Sequence, residues 1–156
     1  MKKKIFTFVL FLFLSSCGYE ATHSLKNRLI YAFSISELNI TGDRQINLKT
    51  KRMLNSYTNP KSQKEKSFAL KIFSKSEKIV VTKNASGDAT KFKNEITLSV
   101  QAIMNKKYNS NFIITENFTY DNNSKTSELK TYESRIKTNL TETAVNKIIS
   151  KLASIN

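Results

Sequence analysis

A chain of 156 residues with 26 Lys and Arg against 12 Asp and Glu has a formal net charge of +14 and the length of one domain, able to bury a core without staples. Its single cysteine excludes an internal disulfide. One histidine and three glycines leave little for a histidine-based metal site, a P-loop or a glycine-rich dinucleotide turn.

The first seventeen residues decide where the rest will reside. Lys2, Lys3 and Lys4 form a positive start, Ile5 to Leu14 form an apolar run broken only by Thr7, and Leu14-Ser15-Ser16-Cys17 closes it. The run is shorter than the roughly 18 to 20 residues of a spanning helix, so it reads as a secretory signal. A large apolar residue, two small ones and a cysteine match the lipobox of the lipoprotein signal peptidase. Residues 1–16 are therefore expected to be cleaved and Cys17 to be lipidated. Each buried CH2 of the attached lipid contributes about 0.8 kcal/mol, enough over several acyl chains to hold the product on a membrane. Gly18 in place of Asp after the cysteine resembles the bacterial sorting pattern that favours the outer membrane. Without Lys2 to Lys4 the chain keeps 23 basic against 12 acidic side chains, a net of +11. That excess suits anionic partners such as lipid phosphates, and export excludes nucleic acid as the expected one.

Residues 17–28 read as a polar tether and 29–156 as a single domain. Leu29 to Ile40 predicts a strand, ended by Thr41-Gly42-Asp43. Asp43 is a candidate N-cap for a helix whose Ile46, Thr50, Met53, Leu54 and Tyr57 share one face, with Pro60 beyond its end. Phe68, Leu70 and Ile72, followed by Ile79-Val80-Val81, predict one long bulged strand, and Asn84 to Asp88 a turn. Ile96 to Met104 alternates most cleanly. Asn105 to Asn111 predicts a second turn, and Phe112 to Tyr120 a strand that completes an antiparallel meander. From about Ser127 a long helix follows, with Leu129, Tyr132, Ile136, Leu140, Ala144, Ile148 and Leu152 along one stripe. Two helices with one apolar stripe each fit one face of a four-stranded, largely antiparallel sheet. The expected class is α+β, a two-layer α/β sandwich. The aromatic residues of these elements are expected in the core.

Convergent chemistry is sparse. His23 falls in the tether, the carboxylates are scattered, and no acid/base pair stands out. A binding or assembly protein is expected rather than an enzyme, with no metal and no cofactor.

The order of elements and several strings resemble the LPS-assembly lipoprotein family (LptE, rare lipoprotein B). Cys17-Gly18-Tyr19 is similar to that family's lipidated cysteine followed by Gly and an aromatic. The likeness continues through the helix ending near Tyr57, Phe68-x-Leu70, Lys83-Asn84, Ile96 to Met104, Phe118 to Asn122, and Ile148-Ile149-x-x-Leu152. The resemblance implies a plug inside the β-barrel subunit of the outer-membrane lipopolysaccharide (LPS) translocon, which assists barrel assembly and binds LPS on its way to the outer leaflet. It also implies a location on the periplasmic side of the outer membrane. Family basic residues near the hairpin after the second strand and before the last helix are linked to LPS. Lys83 matches the first, Lys125 or Lys130 is nearest to the second, and Lys91 and Lys93 flank the same hairpin. The alternative is a stand-alone envelope lipoprotein acting as a scaffold or cell-wall-binding module.

Overall fold

The computed structural model describes residues 33–58, 65–122 and 126–155; the signal sequence, Cys17, the tether, Pro60 and Lys125 lie outside them. Strand β1 (Ser34–Gly42) leads into helix α1 (Arg44–Leu54) and a 3-10 turn over Asn55–Tyr57. Strands β2 (Ser67–Lys83), β3 (Ala89–Met104) and β4 (Tyr108–Asp121) follow, then helix α2 (Thr126–Ser154). The sheet order is β1-β2-β3-β4. β2, β3 and β4 pair antiparallel, as expected of a meander, while β1 runs parallel to β2 because α1 carries the chain back across the face.

Alternation sets the two faces. Phe68, Leu70 and Ile72 of β2, Ile96, Leu98, Val100, Ala102 and Met104 of β3, and Phe112 and Ile114 of β4 are buried beneath the helices. Ile46 and Leu54 of α1 and Ala144, Val145, Ile148, Ile149 and Leu152 of α2 close the same core from above. Burying each large aliphatic side chain here contributes about 1.5 to 3 kcal/mol. Phe33 ends the core at one edge, stacked on Tyr57 at 5.0 Å and edge-on to Phe68 at 5.7 Å. The opposite face of the sheet carries no helix. There Phe73 and Ile113 stand 53% and 68% exposed, Phe73 outside the core expected for the strand aromatics; Phe118 and Tyr108, in register with Asn94 and Met104 on the helix side, are exposed as well.

Element bounds depart from the sequence expectation where turn chemistry is tighter than polarity suggests. β1 extends through Gly42, whose φ of +107° lets the chain pass Ser74; a Cβ there would stand 2.0 Å from the Ser74 carbonyl oxygen. Asp43 then caps α1, its Oδ1 accepting from the Gln45 and Ile46 amides at 3.0 and 3.1 Å. The second turn occupies only Asn105 to Lys107. Asn105 and Lys106 have φ of 50° and 61°, and the Lys107 amide donates to the Met104 carbonyl at 3.0 Å. Two left-handed residues closed this way are a type I′ hairpin turn, which matches the strand twist and lets the polar run from Tyr108 pair with β3. β3 likewise starts at Ala89, seven residues before the clean alternation at Ile96.

Candidate functional site

β2 and β3 outrun β1. Beyond Ser74, the partner of Gly42, they continue as an arm to the turn at Asn84 to Asp88, with β4 paired to β3 as far as Lys91. That turn is closed by Asn84, whose amide donates to the Asp88 carbonyl at 2.9 Å and whose Oδ1 accepts from the Asp88 amide at 2.8 Å, with Gly87 at φ +89°. β2 carries register shifts between Val80 and Lys83, irregularities that bend and twist the arm.

Three of the five candidate lysines lie on this arm. Lys83 is exposed, pairs in register with Ala89 and has no ion pair among the described residues. Lys91 is 3.6 Å from the Asp121 carboxylate, and Lys93 is 3.0 Å from that of Glu95. Two of the three charges are thus matched locally, and Lys83 at the end of β2 carries the excess. Lys130 is exposed on an early turn of α2, whose start packs at the arm's end of the sheet, and Lys125 lies outside the described residues. Exposed ammonium groups of this kind contact phosphate as mobile point charges rather than as a fixed fork.

What fixes the arm against the helical layer was not visible in the sequence. Glu133 of α2 receives the Tyr120 hydroxyl at 2.7 Å and the Lys78 ammonium at 2.6 Å. Lys78 also lies 3.8 Å above the Phe92 ring, which contacts Tyr120 at 6.0 Å; Tyr132 meets Tyr120 edge-on at 5.8 Å. Burial alone would raise the Glu133 pKa, but hydrogen bonds from Lys78 and Tyr120 outweigh it and hold the carboxyl below its ordinary value. Burial first, and then the Glu133 charge, push the Tyr120 hydroxyl upward. The cluster ties β2, β3, β4 and α2 together through one carboxylate.

A second feature lies on the uncovered sheet face, where register aligns two rows across all four strands. Asn39, Lys71, Gln101 and Asn111 form one row, and Thr41, Phe73, Ser99 and Ile113 the next. Together they line an open groove of about 460 Å³. Among the described residues no group of three His, Cys, Asp or Glu is placed to hold a metal ion, and no helix is long and apolar enough to cross a membrane.

The parallel-then-meander sheet with both helices on one face defines a class of small lipoprotein folds. More narrowly, it is the fold of rare lipoprotein B. The rare lipoprotein B of Shewanella oneidensis aligns with a TM-score of 0.53 at 10% identity, over 74% of this chain and 95% of that one. A minor lipoprotein from Acinetobacter baumannii aligns at 0.56 and 11% identity, over 80% and 92% of the two chains. Lipoprotein B of Nitrosomonas europaea aligns at 0.54 and 13%, over 80% and 86%. No family model and no curated protein sequence matches the chain.

Proposed function

We propose that this chain is an outer-membrane lipoprotein of LPS assembly, anchored through Cys17 on the periplasmic side, which plugs the translocon β-barrel, assists its assembly and binds LPS. The observation that carries this reading is the shared fold with rare lipoprotein B, to which the lipobox at Leu14 to Cys17 and the basic charge add independent support. The binding role falls to the arm. Lys83, Lys91 and Lys93 with Lys125 and Lys130 would meet the phosphates of LPS, with Lys83 foremost because no carboxylate neutralises it among the described residues.

Photo-crosslinking in cells from Asn84, at the tip of the arm, tests partner and orientation together. The expected product joins this chain to a large outer-membrane β-barrel; recovery of the protein without any barrel refutes the plug. Lys83→Glu combined with Lys125→Glu is expected to weaken LPS binding while leaving the fold unchanged. Unaltered binding removes the lysines from the site and leaves the barrel reading to the crosslink.

A further inference from the structure

The groove on the helix-free face has a chemistry unlike the rest of this basic molecule. Around it the strands present amides and hydroxyls, and Lys71 is the one cation in its lining, without an ion pair among the described residues. The exposed surface of the helices, by contrast, carries Arg44, Lys51, Arg52, Lys130, Arg135, Lys147 and Lys151. Phe73 on β2 and Ile113 on β4 stand about 10 Å apart, two strand spacings, with the small Ser99 of β3 as the floor between them. Parallel to that trough, about 7 Å away along the strands, runs the row containing Lys71, Gln101 and Asn111.

An apolar trough beside a line of primary amides selects a ligand that is apolar on its faces and polar on its edges. Pyranose rings have this form, with C–H faces and hydroxyl edges. Each amide both donates and accepts, so Gln101 and Asn111 can pair with the C=O and N–H of an acetamide as well as with hydroxyls. The groove volume falls in the range of small-ligand sites, and its openness to solvent along the face suits a polymer threaded across it rather than an enclosed metabolite. With a single ammonium, that of Lys71, and no second cation in the lining, the groove offers a phosphorylated ligand only one charge partner, and the same ammonium accommodates an occasional carboxylate.

We propose that this face binds an N-acetylated glycan strand of the cell-wall type, with sugar rings in the trough between Phe73 and Ile113 and acetamide groups on Gln101, Asn111 and Lys71. The proposal rests on the envelope location read from the lipobox and not on the barrel reading. It gives the lipoprotein a second contact, on the opposite face of the sheet from the helices.

Calorimetric titration of the full chain in detergent with the hexasaccharide of β-1,4-linked N-acetylglucosamine tests it, with maltohexaose as the sugar lacking acetamides. Saturable binding of the first sugar and not the second is expected. Gln101→Ala and Phe73→Ala should each weaken it about fivefold or more, the scale of one lost hydrogen bond or one lost ring contact. Leu48→Ala, on an exposed site of α1, should leave it unchanged. No saturable binding at millimolar sugar, equal binding of maltohexaose, or indifference to both groove substitutions overturns the proposal. Competition by soluble cell-wall fragments supports the assigned source, and competition by LPS-derived saccharide alone overturns it.

Discussion

Replacing Glu133 by alanine should loosen the arm from the helical layer. The carboxylate accepts a hydroxyl hydrogen bond at 2.7 Å from Tyr120, a residue only 5% exposed, so the substitution leaves a buried phenol with only the longer contact to the Asn94 Oδ1 at 3.4 Å. Hydrogen bonds to charged groups contribute about 1.5 to 3 kcal/mol. The ion pair to Lys78, with side chains 40% and 21% exposed, adds at most about 1 kcal/mol after solvent screening. The expected loss is roughly 2 to 3 kcal/mol, read as a lowered urea midpoint at unchanged slope. Amide hydrogen exchange should accelerate first over Lys78 to Lys83 and Ala89 to Asn94, the strands that the cluster holds. Because the Glu133 pKa lies below its ordinary value of 4.5 in the fold, its contribution is complete above that value and is lost as pH falls through the folded one. The difference between wild type and Glu133→Ala should therefore shrink in acid. A loss under 0.5 kcal/mol at pH 7, or unchanged exchange in the arm, would refute the reasoning; that threshold is about the smallest net value of a hydrogen bond.

Gly42→Ala should destabilise more than an ordinary surface change, since the new methyl group meets backbone at Ser74 and the φ of +107° disfavours any side chain; thermal melting should fall by several degrees, and an unchanged midpoint would show that β1 can shift. Asp43→Ala removes the cap of α1 and the 3.0 Å ion pair to Lys137, and should cost about 1 to 2 kcal/mol at pH 7 by chemical denaturation. Burial opposes ionisation of Asp43, but the Ile46 and Gln45 amides and Lys137 together lower its pKa, so this stabilisation too is present above the ordinary carboxylate range and lost below it. Leu98→Ala, at a fully buried position in the middle of β3, should cost about 2 to 5 kcal/mol in the same assay.

Periodicity made the layers legible. Ile96 to Met104 declared both its faces, and Ile46, Thr50 and Leu54 declared the buried side of α1, because a repeat of two or of three and four survives in one dimension. The parallel placement of β1 beside β2 was not legible, since pairing partners leave no mark in either strand. Nor was the strand from Tyr108 to Asn111, where polar residues at the sheet's rim read as a loop until two left-handed residues at Asn105 and Lys106 shortened the turn. The candidate site divides the same way. Lys83, Lys91 and Lys93 follow from the resemblance to the family's hairpin after the second strand rather than from any pattern in the charges, and the fold places them on one arm. Glu133 and Lys78 are 55 positions apart, and the groove draws on four strands, so both exist only through register.

β2 has a further consequence in its length alone. Seventeen extended residues measure about 55 Å, against the 40 to 45 Å of a bilayer with its headgroups. Phe33, where the described chain enters the fold, packs on Phe68 at the start of this strand, and Lys83 stands at its finish. The strand exceeds that span by roughly 10 to 15 Å. Phe33 and the turn at Asn84 to Asp88 thus mark opposite ends of a strand of about 55 Å, and equal deletions in β2 and β3 would draw the tip toward the entry end by about 3.3 Å per residue pair removed, at the expense of the pairing of β3 with β4 that runs out to Lys91.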